Sequence, residues 1–145
     1  MEKSMHMNNI KSDQEYDIIV VGIGTAGSIA LITAAMKGYK VLGIEALTNV
    51  GGTGTLGAIG GYYFGSRGGF YEEMNEKALQ FQDQMYPPRN QNPALDAKAY
   101  ILEETALHYH ADILYETRVA EVYVEDQTVR GLCCFSKGRL LNIKS

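Results

Sequence analysis

The chain has 145 residues, a formal net charge of -4 and 46% apolar residues, and its charges form no block of like sign. This length is enough for one domain with a hydrophobic core, but not for two full domains. The charge balance argues against nucleic acid or an anionic membrane as the partner, so we expect a small-molecule substrate.

The N-terminus, residues 1–13, is polar and predicts a disordered segment before one domain that spans residues 14–145. It lacks the apolar central region of a secretory signal, which predicts a cytoplasmic protein. Cys133 and Cys134 are adjacent in a β-rich stretch, so they suggest neither a disulfide framework nor a CxxC redox pair. We interpret them as reduced thiols of the core.

The first predicted elements form a strand, a turn and a helix. Tyr16 to Val21 is a β-branched run without polar alternation, which predicts a fully buried strand of a parallel sheet. The turn at Gly22 to Gly27 leads into a helix from about Thr25 to Lys37, and Lys40 to Ile44 gives a second buried strand. The predicted core face of the helix consists of Ile29, Ile32, Thr33 and Met36.

A transmembrane helix is the alternative for the same region, because Ile18 to Met36 contains no charged residue. Gly22, Gly24 and Gly27 interrupt this run, and a glycine in a helix interior costs about 1 kcal/mol relative to alanine. The strand, turn and helix explain these residues better, so we predict no membrane span.

A glycine-rich segment and two helices follow. Residues 51–69 contain nine glycines but are too apolar and aromatic for a flexible linker, so we expect a loop against which something packs. Phe70 to Met85 is predicted to be helical. A further helix is predicted with Asn92 as its N-cap and Pro93 at its first position, and it runs to about His110.

The remainder of the chain predicts β structure. Asp112 to Tyr115 is a short strand, and three further strands joined by tight turns form an antiparallel meander: Arg118 to Val124, Thr128 to Phe135 and Arg139 to Ile143. The predicted fold class is therefore α/β. We expect a mainly parallel sheet flanked by helices and a small antiparallel meander.

The turn after the first strand matches the G-x-G-x-x-G motif, with the sequence Gly22-Ile23-Gly24-Thr25-Ala26-Gly27. The first glycine permits a tight turn, the second lets backbone N–H groups approach a pyrophosphate, and the third lets the helix lie close to the strand. An anion would then sit at the N-terminus of the helix. The motif alone is a weak indication of dinucleotide binding, and its position between a strand and a helix strengthens that indication.

Glu45 stands at the end of the second strand, where a dinucleotide site needs an acid for the adenosine ribose. Its carboxylate would accept hydrogen bonds from both ribose hydroxyls and would repel a 2′-phosphate, which disfavours NADP. The alternatives are a solvated residue after a strand, and a glycine turn that binds no ligand.

The run from Ile18 to Gly27, then Glu45, then Gly51-Gly52-Thr53-Gly54-Thr55-Leu56 resembles the opening of the glutathione-reductase-type FAD-binding fold. It is most similar to the oxidoreductases related to fumarate reductase and succinate dehydrogenase flavoproteins. The resemblance implies a Rossmann-like FAD/NAD(P)-binding domain with FAD as the cofactor. It also implies that Gly51, Gly52 and Thr53 lie over the pyrophosphate and ribityl chain, and that Ala46 belongs to the site beside Glu45.

The segment Arg118-Val119-Ala120-Glu121-Val122 resembles an "RVAEV"-like segment of the same family. Its backbone meets the adenine in that family, so the resemblance implies a contact from the main chain of Val119. The implied function is FAD-dependent oxidation or reduction of an unidentified small molecule. The sequence indicates no catalytic residue and no metal site.

Enzymes of this family are usually several hundred residues long and complete the flavin site with a later Thr-Gly-Asp-like element. The chain stops at Ser145 without one. We therefore expect an incomplete FAD-binding domain that is inactive as an isolated chain, with a second chain as a possible source of the missing elements. The alternative is a non-catalytic nucleotide-binding fragment or a subunit of a split enzyme.

Overall fold

A computed structural model describes residues 14–61, 64–65, 68–85 and 93–145 of the chain. The first sheet is parallel and has the order β1-β2-β3, and the second is antiparallel with the order β4-β5-β6. The strands are β1 (Ile18–Val21), β2 (Val41–Ile44), β3 (Asp112–Leu114), β4 (Thr117–Glu125), β5 (Thr128–Ser136) and β6 (Arg139–Lys144). The helices are α1 (Thr25–Met36), α2 (Phe70–Met85) and α3 (Leu95–His108), with a short 3₁₀ turn at Gly52–Gly54.

The predicted α/β class is confirmed, with three layers stacked in the order helices, parallel sheet and antiparallel sheet. One core cluster joins the parallel sheet to the helices through Ile23, Leu31, Val41, Met74 and Leu102 among others. A second cluster lies between the two sheets and contains Tyr16, Leu42, Ile44, Leu132, Cys134 and Ile143. The parallel sheet is therefore covered on both faces, as its β-branched strands require.

The first strand differs from its prediction. It begins at Ile18 rather than Tyr16, and it is only partly buried, with Val21 56% exposed. The reason is its position, because β1 forms one edge of the sheet while β2 is central and buried at every residue. A residue pattern reports how apolar a strand is, but not which neighbours it has.

The buried face of α1 also differs from its prediction. The helix buries Ser28, Leu31, Ile32 and Ala35. Of the predicted core face, Thr33 and Met36 point to solvent. The helix carries apolar or small residues all around, so its periodicity did not select one face. It ends at Met36, close to the predicted end at Lys37, and Gly38 follows the C-cap residue with φ +84°.

The antiparallel meander is confirmed. Two tight turns join its strands, and the residues at their centres have positive φ: Asp126, Gln127, Lys137 and Gly138. Both cysteines lie on β5 as free, buried thiols. Burial, and then the charge of neighbouring Cys133, raises the pKa of the Cys134 thiol.

The helix α3 starts later than predicted, at Leu95 with Ala94 as its N-cap, so Pro93 is not its first residue. The predicted N-cap Asn92 and the predicted disordered segment 1–13 lie outside the described residues. Among the helices that the structure describes, none is both long enough and apolar enough to cross a membrane.

Candidate functional site

The turn from β1 to α1 is built around two glycines. Gly22 has φ +84°, and its N–H donates to the carbonyl oxygen of Ile44 at 2.8 Å, which ties the turn to the end of β2. A Cβ on Gly27 would lie 1.9 Å from the carbonyl oxygen of Gly22. Only glycine therefore lets α1 approach the turn this closely, as the third position of the motif requires.

The N-terminus of α1 is open. Its N-cap residue is Gly24, which provides no side-chain hydrogen bond, and the first turn contains no acidic residue. Within the described part of the chain, the N–H groups of Thr25, Ala26 and Gly27 have no acceptor. Unpaired N–H groups and the positive end of the helix dipole make this position suitable for an anion.

The second glycine segment lies directly against the first. Gly51 has φ +89°, and its N–H donates to the carbonyl oxygen of Ile23 at 2.9 Å. A Cβ on Gly52 would lie 2.8 Å from the Cα of Gly24, so the two backbones touch. The hydroxyl of Thr53 is 3.4 Å from that of Thr25. The structure therefore brings these predicted site residues together at the start of α1.

Glu45 follows β2 and is largely buried, with 9% of its surface exposed. Its Oε1 accepts a hydrogen bond from the N–H of Leu47 at 3.1 Å, and its backbone pairs with Leu114 and Thr117. These contacts fix the carboxylate and leave Oε2 without a hydrogen bond in the described residues. Ala46, the next residue, is partly buried.

The charge of Glu45 acts on one neighbour, Tyr115. The Tyr115 hydroxyl donates to Oε2 of Glu103 at 2.8 Å. Burial, this hydrogen bond and the negative charges of Glu103 and Glu45 raise the pKa of Tyr115. The phenol therefore stays protonated beside the candidate ribose acid.

Val119 lies on β4, two residues after Thr117, whose N–H donates to the carbonyl oxygen of Glu45 at 2.9 Å. The side chain of Val119 is half-buried against the core between the two sheets. In the described residues, no hydrogen bond links it to the glycine segments. It therefore belongs to the same end of the sheet as Glu45 but is separate from the start of α1.

Lys98 was not among the predicted site residues, although it lies on α3 beside the site and is only 2% exposed. Its Nζ donates to the hydroxyl of Tyr71 at 2.6 Å and lies 4.5 Å from the centroid of that ring. A Cβ on Gly54 would lie 3.2 Å from the same Nζ, so the ammonium sits against the second glycine segment. A signal existed, because Lys98, Leu102 and Thr105 follow the i, i+4, i+7 spacing of a buried helix face.

A comparison with models of protein families decides the family. The model described as FAD dependent oxidoreductase matches residues 17–145, which is nearly the whole described domain. The chain belongs to this family. FAD is the cofactor of FAD-dependent oxidoreductases. Membership of the family therefore confirms the expectation of FAD from the sequence.

Two curated relatives match over short stretches of the chain. Digeranylgeranylglycerophospholipid reductase 1 of Methanococcoides burtonii is 54% identical over 37 residues, which are 26% of the chain and 9% of the relative. The 3-oxosteroid 1-dehydrogenase of Mycolicibacterium smegmatis is 45% identical over 40 residues, which are 28% of the chain and 7% of the relative. The matched stretches therefore cover a small share of the length of either enzyme.

Solved structures share the fold over most of the chain. The 3-ketosteroid-Δ4-(5α)-dehydrogenase of Rhodococcus jostii RHA1 is similar with a TM-score of 0.66 and 16% identity, over 94% of the chain and 45% of the dehydrogenase. A geranylgeranyl bacteriochlorophyll reductase-like protein of Thermoplasma acidophilum has a TM-score of 0.55 and 18% identity, over 91% of the chain and 38% of that protein. The chain spans less than half the length of both.

The geometry of the glycine segments fits the adenosine diphosphate part of FAD. Side chains at Gly24 and Gly52 would fill the space at the start of α1, and the open N–H groups there suit a diphosphate. The fixed carboxylate of Glu45 suits a ribose hydroxyl. FAD supplies the redox chemistry when it is bound, and the protein positions and tunes it.

Proposed function

We propose that this chain binds FAD through its adenosine diphosphate part and forms the N-terminal dinucleotide-binding portion of an oxidoreductase that acts on a small molecule. The observation that supports this most strongly is the meeting of two glycine segments, at Gly24 and Gly52, over the uncapped N-terminus of α1. An N-terminus without a cap and without acidic residues leaves positive potential for a diphosphate.

The proposed contacts extend the site in both directions along the dinucleotide. The N–H groups of residues 24–27 would hold the diphosphate, and Glu45 with Ala46 would hold the adenosine ribose. The main chain of Val119 would meet the adenine. The remaining proposed cofactor-binding residues are Gly22, Ile23, Gly51, Gly52 and Thr53.

Two finer assignments rest on the sequence motifs. The double glycine at Gly51 and Gly52 supports a fold of the glutathione-reductase type, related to fumarate reductase and succinate dehydrogenase flavoproteins. The second assignment, a cytoplasmic location, is proposed from the polar residues 1–13.

A second chain, or a further segment, is proposed to complete the flavin end of the site. Two observations support the proposal that further elements complete the flavin end. The outer edge of β1 pairs with no strand in the described residues, and Val21 at its end is 56% exposed. The chain also spans only 45% of a structurally similar dehydrogenase. If nothing completes the site, the alternative function is a nucleotide-binding module without catalysis.

Calorimetric titration of the full chain tests the proposal, with ADP, FAD and adenosine as ligands. We expect ADP and FAD to bind, and adenosine to bind much more weakly because it lacks the diphosphate. NADP should bind more weakly than NAD because Glu45 repels its 2′-phosphate. A folded chain that binds neither ADP nor FAD would contradict the proposal.

A further inference from the structure

Lys98 is a charged residue in the interior of the helical layer. Only 2% of its surface is exposed, and on α3 it occupies the same buried face as Leu102 and Thr105. Lysine is almost never fully buried unless its charge is paired, because removal of an ammonium group from water is costly. The position of Lys98 therefore needs a compensating negative charge.

The described residues provide no such charge. Their ion pairs are Lys77–Glu73 and Arg130–Glu125, and neither includes Lys98. The ammonium donates a hydrogen bond of 2.6 Å to the Tyr71 hydroxyl and lies 4.5 Å from the centroid of the same ring. A hydrogen bond and a cation–π contact offset part of the desolvation cost but do not neutralise the charge.

The ammonium lies next to the start of α1. The Cβ position of Gly54 is 3.2 Å from Lys98 Nζ and 3.9 Å from Thr25 Oγ1, so both groups flank the same point under the 3₁₀ turn. Thr25 is the first residue of α1, whose N–H groups are open. A buried positive charge and the positive end of a helix dipole therefore converge on one place.

We propose that the Lys98 ammonium, buried beneath the Gly52–Gly54 turn, supplies part of the positive potential that binds the diphosphate of the dinucleotide at the start of α1. This inference rests on the proposed function. Lys98 acts here as a positioning residue, because its charge works through the turn that covers it. The bound diphosphate is the negative charge that the interior lacks.

The test compares the wild-type chain with Lys98→Met, which keeps the length and the apolar stem of the side chain but removes the charge. We expect ADP to bind about tenfold more weakly, because a unit charge in a partly buried site contributes on this order. Adenosine, which has no phosphate, should bind with its affinity changed by less than about twofold.

Stability without ligand gives a second readout. Replacement of a buried, unpaired charge by an apolar side chain of similar size is often neutral or stabilising. We therefore expect Lys98→Met to melt at the same or a higher temperature than the wild type while binding ADP more weakly. A lysine with a purely structural role would give the opposite pair of results, a lower melting temperature and an unchanged ratio of ADP to adenosine affinity.

Two matched variants complete the design. Lys77→Met removes an exposed lysine of α2, which pairs with Glu73 at 3.0 Å, and should leave ADP affinity unchanged. Tyr71→Phe keeps the ring and the charge of Lys98 but removes the hydroxyl, and should keep the ADP to adenosine ratio. The inference is overturned if Lys98→Met binds ADP like the wild type. If the wild type binds neither ADP nor FAD, the proposed function fails instead.

Discussion

The hydroxyl of Thr25 donates a hydrogen bond of 3.0 Å to the carbonyl oxygen of Gly51. The first residue of α1 thus holds the second glycine segment against the N-terminus of its own helix. Both segments gain a fixed geometry from this bond before any ligand arrives. A site that is already ordered loses less conformational entropy when it binds.

Gly24→Val should abolish dinucleotide binding while the fold remains. A Cβ at Gly24 would lie 3.8 Å from the Cα of Gly52, which is an ordinary contact, so the chain tolerates a side chain there. The added methyl groups would nevertheless fill the space between the diphosphate and the backbone. Circular dichroism should show the wild-type spectrum, and calorimetry should show no binding of ADP. Ala30→Val, at an exposed position of α1, is the control and should bind normally.

Glu45→Ala should lower the affinity for ADP and for FAD by roughly tenfold to a hundredfold, because a charge-assisted hydrogen bond contributes about 1.5 to 3 kcal/mol. Glu45 also accepts the N–H of Leu47, so Glu45→Gln is the matched variant that retains an acceptor for this bond. The glutamine variant should lose affinity for ADP but relax the discrimination against NADP. If both variants bind ADP with unchanged affinity, the assignment of Glu45 to the binding site is wrong.

The chain alone should bind FAD weakly, about micromolar or poorer, and ADP almost as well. The proposed contacts reach the adenosine and the diphosphate, whereas nothing in the described residues is assigned to the flavin ring. We also expect no turnover, because hydride transfer needs a positioned substrate and a dry, preorganised site. Titration of both ligands tests this. FAD affinity more than about a hundredfold above that of ADP, or bleaching of bound flavin by a substrate, would show a complete flavin site.

The contribution of Tyr16 to stability should disappear at high pH. Its hydroxyl donates to Oδ2 of Asp112 at 2.8 Å, and burial, this bond and the charge of Asp112 raise the pKa of Tyr16 from 10.0 to about 12. The contribution is fully present below pH 10 and is lost between pH 10 and 12, where the unfolded chain ionises before the folded chain.

Urea unfolding of the wild type and Tyr16→Phe measures this effect. The variant should be less stable by about 1 to 2 kcal/mol at pH 8, and the difference should shrink as the pH rises above 10. Tyr39→Phe, at a residue that is 51% exposed, should behave like the wild type throughout. A difference between wild type and Tyr16→Phe that stays constant up to pH 11.5 would rule out the linkage.

The sequence was most informative where local chemistry alone determines the backbone. The turns at Asp126 and at Lys137 connect short strands, and their positive φ angles match the hairpins expected from the pattern. The turn at Gly22 likewise follows from the glycine spacing. These elements need few distant partners, so residue type and spacing were enough.

The sequence was least informative where burial depends on distant neighbours. Lys98 has the charge of a surface residue, yet the packing of α3 on the other helices buries it. The same limit explains Met36, an apolar residue that the helix exposes, and Val21, which lies at the edge of the sheet. No periodicity within one helix or strand reports what the rest of the fold places against it.

The bare edge of β1 has a practical consequence for the isolated polypeptide. It presents four uncharged residues, Ile-Ile-Val-Val, with backbone groups that no strand of the described residues occupies on that side. An uncovered apolar edge presents unpaired N–H and C=O groups onto which an extended segment can add. Preparations of the chain should therefore become turbid or form assemblies as the protein concentration rises. A peptide that pairs with the outer edge of β1 as a further strand should prevent this.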